Sequence, residues 1–124
     1  MKYMLLIYHD ERALDDGERE ACYVESAQLA RDLHGKGQFV AADPLQPTTR
    51  AGTVRVRNGR TFVTDGPFAE TKEQLGGYFL VDVNTADDAV AIAARIPMAR
   101  KGTVEVRPVI DVAGVPSREG AGRN

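Results

Sequence analysis

The sequence has a single cysteine, Cys22, so no internal disulfide can form and nothing points to an oxidising compartment. It has no run approaching the ~20 apolar residues needed to cross a membrane. The opening MKYMLLIYHD imitates a secretion signal, but its apolar stretch stops at His9, Asp10 and Glu11 and carries no small-residue cleavage site. These absences predict a soluble, cytoplasmic chain without a membrane partner. Charge of one sign is also lacking: 16 basic and 18 acidic residues leave a formal charge of -2, too little field to hold a nucleic-acid backbone. Neither GxGxxG nor GKS/T occurs, so no nucleotide cofactor is expected. Histidine is limited to His9 and His34, and the adjacent trio His9, Asp10, Glu11 cannot close a coordination sphere unaided, so no metal is expected either.

What is present fits one domain of 124 residues. KYMLLIY carries apolar side chains at both parities, the mark of a strand covered on both faces. Residues 18–34 read as a helix with Cys22, Ser26, Leu29 and Leu33 on one stripe and Gly35 as a left-handed cap. A short strand over 39–42 follows. Residues 53–57 and 60–64 flank Asn58-Gly59, the pair suited to a type I′ hairpin, with Val54 opposite Val63 and Arg55 opposite Phe62. One face of that hairpin is apolar and the other basic. A strand over 78–83 leads to Thr85, a helix N-cap, and then to a helix with Ala89, Val90, Ala93 and Ile96 inward. The last strand spans 103–107. Residues 1–111 form the domain, and 112–124 form a loose tail.

This order is a split βαβ pattern with an inserted hairpin, an α+β class. Right-handed crossovers put both helices on one face of the sheet. The other face then exposes Met4, Leu6 and Tyr8, which predicts a homodimer packed through it.

Between hairpin and third strand lies DGPFAETKEQLGG, residues 65–77. Asp, Gly and Pro suit a turn, Thr71 with Gln74 fits a capping box for one helical turn, and Gly76-Gly77 suit close backbone packing. The same stretch offers a site. Asp65 and Glu70 are candidate acid/base carboxylates, Phe68 and Tyr78 candidate walls, and Arg55 or Lys72 partners for an anionic substrate.

VTDGPFAETKEQLGGYFLVDV closely resembles the signature of the DGPF-type proteins of the YCII-related family, and MKYMLLIY, GTVRVRNG and ARIPMARKGTVEVRPV resemble its pattern too. The resemblance implies a ferredoxin-like fold in a dimeric α+β barrel. Members of this type are often encoded beside extracytoplasmic-function sigma factors, and a related YCII protein is a dehydrochlorinase acting on a chlorinated hydroxyhydroquinone. Shorter YCII-type proteins are thought to use a His on the first helix and an Asp near the end of the second. Matching through KGQFVAADP and RIPMARKG puts Ser26 and Ile96 at those positions.

Three readings follow. The first is a small aromatic or anionic ligand bound near the DGPF loop, with lyase or dehydrochlorinase-like chemistry. The second is a non-catalytic module in a sigma-factor pathway. The third is a loop that merely braces the dimer.

Overall fold

Alternating inward and outward side chains build the sheet, and two apolar helical stripes cover it. The computed structural model describes residues 1–116; of the expected tail, 117–124 lie outside them. The order is β1 (Lys2–His9), α1 (Asp16–Gly35), β2 (Phe39–Pro44), β3 (Gly52–Arg57), β4 (Arg60–Asp65), β5 (Gln74–Asp82), α2 (Ala86–Arg95) and β6 (Thr103–Pro108), with 3-10 turns at Thr48–Arg50 and Pro97–Arg100. The main sheet is antiparallel in the order β2-β5-β1-β6, and β3-β4 form a separate ribbon. This is the split βαβ arrangement with an inserted hairpin, a ferredoxin-like α+β fold.

Tyr3 and Leu5 from β1, Phe79 and Val81 from β5, and Val83 just after it meet Leu29 and Leu33 of α1 and Ala89, Ile92 and Ala93 of α2 in one core. Leu5, Leu33, Val81 and Ile96 are fully buried. Truncating such a leucine to alanine costs about 2–5 kcal/mol, the transfer term plus the cavity it leaves. The other face of β1 is left half-buried at Met4, Leu6 and Tyr8.

Local signals set the element ends. Asp15 caps α1 with a full capping box: the Glu18 amide donates to its carboxylate at 2.8 Å, and its own amide donates to Glu18 at 3.3 Å. Thr85 caps α2 by accepting from the Asp88 amide at 3.1 Å. The hairpin has the predicted register, Val54 opposite Val63 and Arg55 opposite Phe62, and both turn residues have positive φ, 51° at Asn58 and 74° at Gly59.

Three local expectations differ. Gly35 stays helical, and the left-handed residue is Gly37 at φ 71°, because the Gln38 amide closes back onto the Leu33 carbonyl two residues later than expected. In α2 Ile92 points inward and Val90 is exposed: a helix starting at Ala86 turns Ala89, Ile92 and Ala93 to the sheet. The helical turn expected at Thr71 does not form. Gln74 is drawn into β5 opposite His9, its side-chain amide donates to the Ala69 carbonyl at 3.1 Å, and the Thr71 hydroxyl donates to the Glu73 carbonyl at 2.6 Å.

Candidate functional site

Small side chains on two facing walls leave space between α1 and the sheet. Ser26, Ala27 and Ala30 line this space from the helix, and Ala42, Gly76 and Gly77 line it from the strands. The cavity measures about 410 Å³, within the range of small-molecule sites. It sits where β1 and β2 end, with Ile7, Leu14, Phe39, Phe79 and Met98 among its apolar lining. The polar members include His9, Glu11, Arg19, Cys22 and Tyr23.

His9 is the last residue of β1. Opposite it, β5 carries a bulge: Ile7 pairs with Gly77 and Tyr8 with Leu75, so Gly76 is the extra residue. The imidazole lies against that glycine so closely that a Cβ at position 76 would collide with Nε2 and Cδ2. Gly77 is tight for another reason, since a Cβ there would press on the Asp43 carbonyl and Pro44. The bulge and its two glycines therefore make room for the ring. His9 Nδ1 is buried and has no hydrogen-bond partner among the described residues. A buried ring nitrogen in that condition costs free energy unless a partner satisfies it.

Glu11 follows in the loop after β1. Its carboxylate accepts from the Thr48 amide at 2.8 Å and from the Thr48 hydroxyl at 2.5 Å, tying this loop to the turn after β2. Arg19 is anchored from its own helix, donating to Asp16 at 3.0 Å. Tyr78 donates its hydroxyl proton to Asp43 at 2.6 Å, and both residues line the cavity.

The residues singled out from the sequence divide between two places. Asp65 ends β4, Arg55 lies on β3, and Phe68, Glu70 and Lys72 occupy the loop between β4 and β5; all five are exposed and lie outside the cavity lining. Tyr78 alone of that set lines it. Gly66, at φ 95°, donates its amide to the Ala51 carbonyl at 2.8 Å and accepts from the Thr53 hydroxyl at 2.8 Å, so the loop begins as hairpin closure. Its end is pinned by the Thr103 hydroxyl, which donates to Glu73 at 2.8 Å. Ser26 and Ile96, distant in sequence, both line the cavity. Cys22, placed by its spacing on the inward stripe of the helix, is half-buried at the cavity wall. Sequence reasoning reached His9 only as a member of His9-Asp10-Glu11; the signal that places it is the bulge glycine 67 positions away.

A ferredoxin-like sheet with two helices on one face and a small-molecule-sized cavity beneath the first defines the class. The chain matches the YCII-related domain over residues 1–113 and belongs to that family. It is 38% identical over 118 residues to an uncharacterised protein of Rhizobium meliloti (strain 1021), covering 88% of this chain and 92% of that one.

Proposed function

We propose that the protein binds a small, mostly apolar molecule carrying one polar or acidic group in the cavity between α1 and the sheet. His9 meets that polar group. The observation that carries this reading is a histidine held against a bulge glycine at the wall of a cavity of about 410 Å³, its buried Nδ1 without a hydrogen-bond partner among the described residues. The apolar lining sets the character of the ligand body, and Arg19 favours an acidic substituent. An imidazole at a cavity wall suits proton abstraction from a bound molecule, the first step of a lyase reaction, once the ring turns a nitrogen toward the space. In this reading His9 on β1 supplies the imidazole that the family pattern puts at position 26, since Ser26 and His9 line one space. Asp65 and Glu70 keep a supporting part: their loop leads directly into the bulge that seats His9. The reading includes a homodimer packed through the helix-free sheet face, where Met4, Leu6 and Leu80 are half-buried.

The test is a thermal-shift screen with small aromatic and aliphatic acids, phenols and their neutral analogues. Wild type should gain stability with a subset of acids or phenols, as ligand linkage requires. His9→Ala should lose that gain, and Asp65→Asn should keep most of it. Loss in Asp65→Asn with retention in His9→Ala would move the site to the loop.

A further inference from the structure

Only Leu29 and Leu33 of α1 are buried, and both lie in its second half. Over residues 16–28 no side chain is buried; Arg19, Cys22 and Ser26 are half-buried, and all three line the cavity. An ordinary surface helix lies on an apolar stripe. The first half of α1 lies over space instead. In the loop before it the one buried side chain is Leu14, which itself borders the cavity.

Polar contacts supply most of the remaining hold. Glu18, Glu25 and Asp32 recur at seven-residue intervals, two turns of helix, and so share a stripe beside the inward one. Each meets a cation from the end of α2 or the turn after it: Lys101 at 3.0 Å, Arg100 at 2.8 Å and Arg95 at 2.9 Å. Asp32 adjoins Leu33, where the core already fixes the helix. The pairs at Glu18 and Glu25 fall on the half that the core does not reach. On the other side, Glu11 accepts from the Thr48 amide and hydroxyl and ties the loop before α1 to the turn after β2. Exposed ion pairs contribute little and weaken with salt. A segment with few buried contacts opens locally while the rest stays folded.

We propose that residues 10–28 are a lid over the cavity, hinged at Leu29 and fastened by Leu14, the Glu11-Thr48 bonds and the Glu18-Lys101 and Glu25-Arg100 pairs. Opening lifts Cys22 and Ser26 from the strand walls and admits a ligand; closing returns Arg19 to the cavity rim. The purpose of the lid rests on the binding proposed for that cavity, and its mechanics do not.

Two readouts on the full chain without ligand test the lid: amide hydrogen exchange, and alkylation of Cys22, the single thiol, by N-ethylmaleimide. In wild type, amides of residues 20–28 should exchange at least about tenfold faster than those of Leu33, Phe79 and Val81, because the lid opens without global unfolding. Glu18→Gln/Glu25→Gln keeps an acceptor in the capping box. It should speed both exchange over 20–28 and alkylation of Cys22 about threefold or more, with exchange at Leu33 unchanged. Arg100→Gln/Lys101→Gln breaks the same bonds without altering α1 and should do likewise. A response confined to the first variant belongs to the helix itself and overturns the lid. Equal protection of residues 20–28 and the core, or variants alkylated at the wild-type rate, also overturns it and leaves the proposed binding intact. A ligand screen that fails while both variants respond removes the binding and leaves the lid.

Discussion

Gly76 shows how one missing side chain sets a site. A methyl group at this position would occupy the space of the His9 ring, with strand backbone on either side of it. Gly76→Ala should cost about 1–3 kcal/mol from overpacking, and it should abolish the ligand-induced thermal shift by displacing His9. Urea denaturation together with the thermal-shift screen checks both parts; a variant that is fully stable and still stabilised by ligand would remove His9 from the centre of the site. The pair was hard to read from sequence. His9 and the glycine become neighbours only through the β1-β5 register, and Gly76-Gly77 taken alone signalled no more than close packing.

At the scale of elements, the clearest example is the join between α1 and the 3-10 turn after α2. Arg100 donates to both oxygens of Glu25, at 3.0 and 2.8 Å, and Lys101 donates to Glu18 at 3.0 Å. The bond from Arg100 holds the Glu25 carboxyl below its ordinary range, against a smaller opposing effect of burial. Lys101 does the same for Glu18, helped by the Asp15 amide. A carboxyl depressed in the folded state stabilises the fold above its unfolded pKa and loses that contribution as pH falls through the folded value. Thermal stability should therefore decline as pH falls below about 4.3, the ordinary glutamate value, and on through the lower folded ones, and Glu25→Gln should flatten part of that decline. An identical slope in the variant would show that the exposed pair contributes nothing measurable, as many surface pairs do. Arg95 pairs with α1 in the same way, through Asp32 at 2.9 Å, so three cations around Pro97 each meet a carboxylate of that helix. The stripe Cys22, Ser26, Leu29, Leu33 was legible as one face of a helix. Its division was not: Leu29 and Leu33 enter the core, while Cys22 and Ser26 border the cavity. Periodicity reports which side chains face inward and is silent about whether anything fills the space before them.

For the whole molecule, strand and helix order fixed the topology, because right-handed crossovers leave one arrangement for two βα units around a split pair. The hairpin register followed from Asn58-Gly59 alone. The cavity had no such signal, since it arises where small residues of α1 and β2 meet the bulge of β5, three segments joined only by the fold. The DGPF loop drew attention because its chemistry is concentrated in one stretch, whereas the residues around the cavity come from five separate parts of the chain. That contrast can be put to one experiment. A ¹⁵N-labelled sample titrated with the acids and phenols that stabilise the protein should show its largest amide shifts at Ile7 to Leu14, along α1 from Arg19 to Ala30, and at Gly76 to Phe79. Shifts confined to residues 65–73, with those three segments unmoved, would contradict a site between helix and sheet.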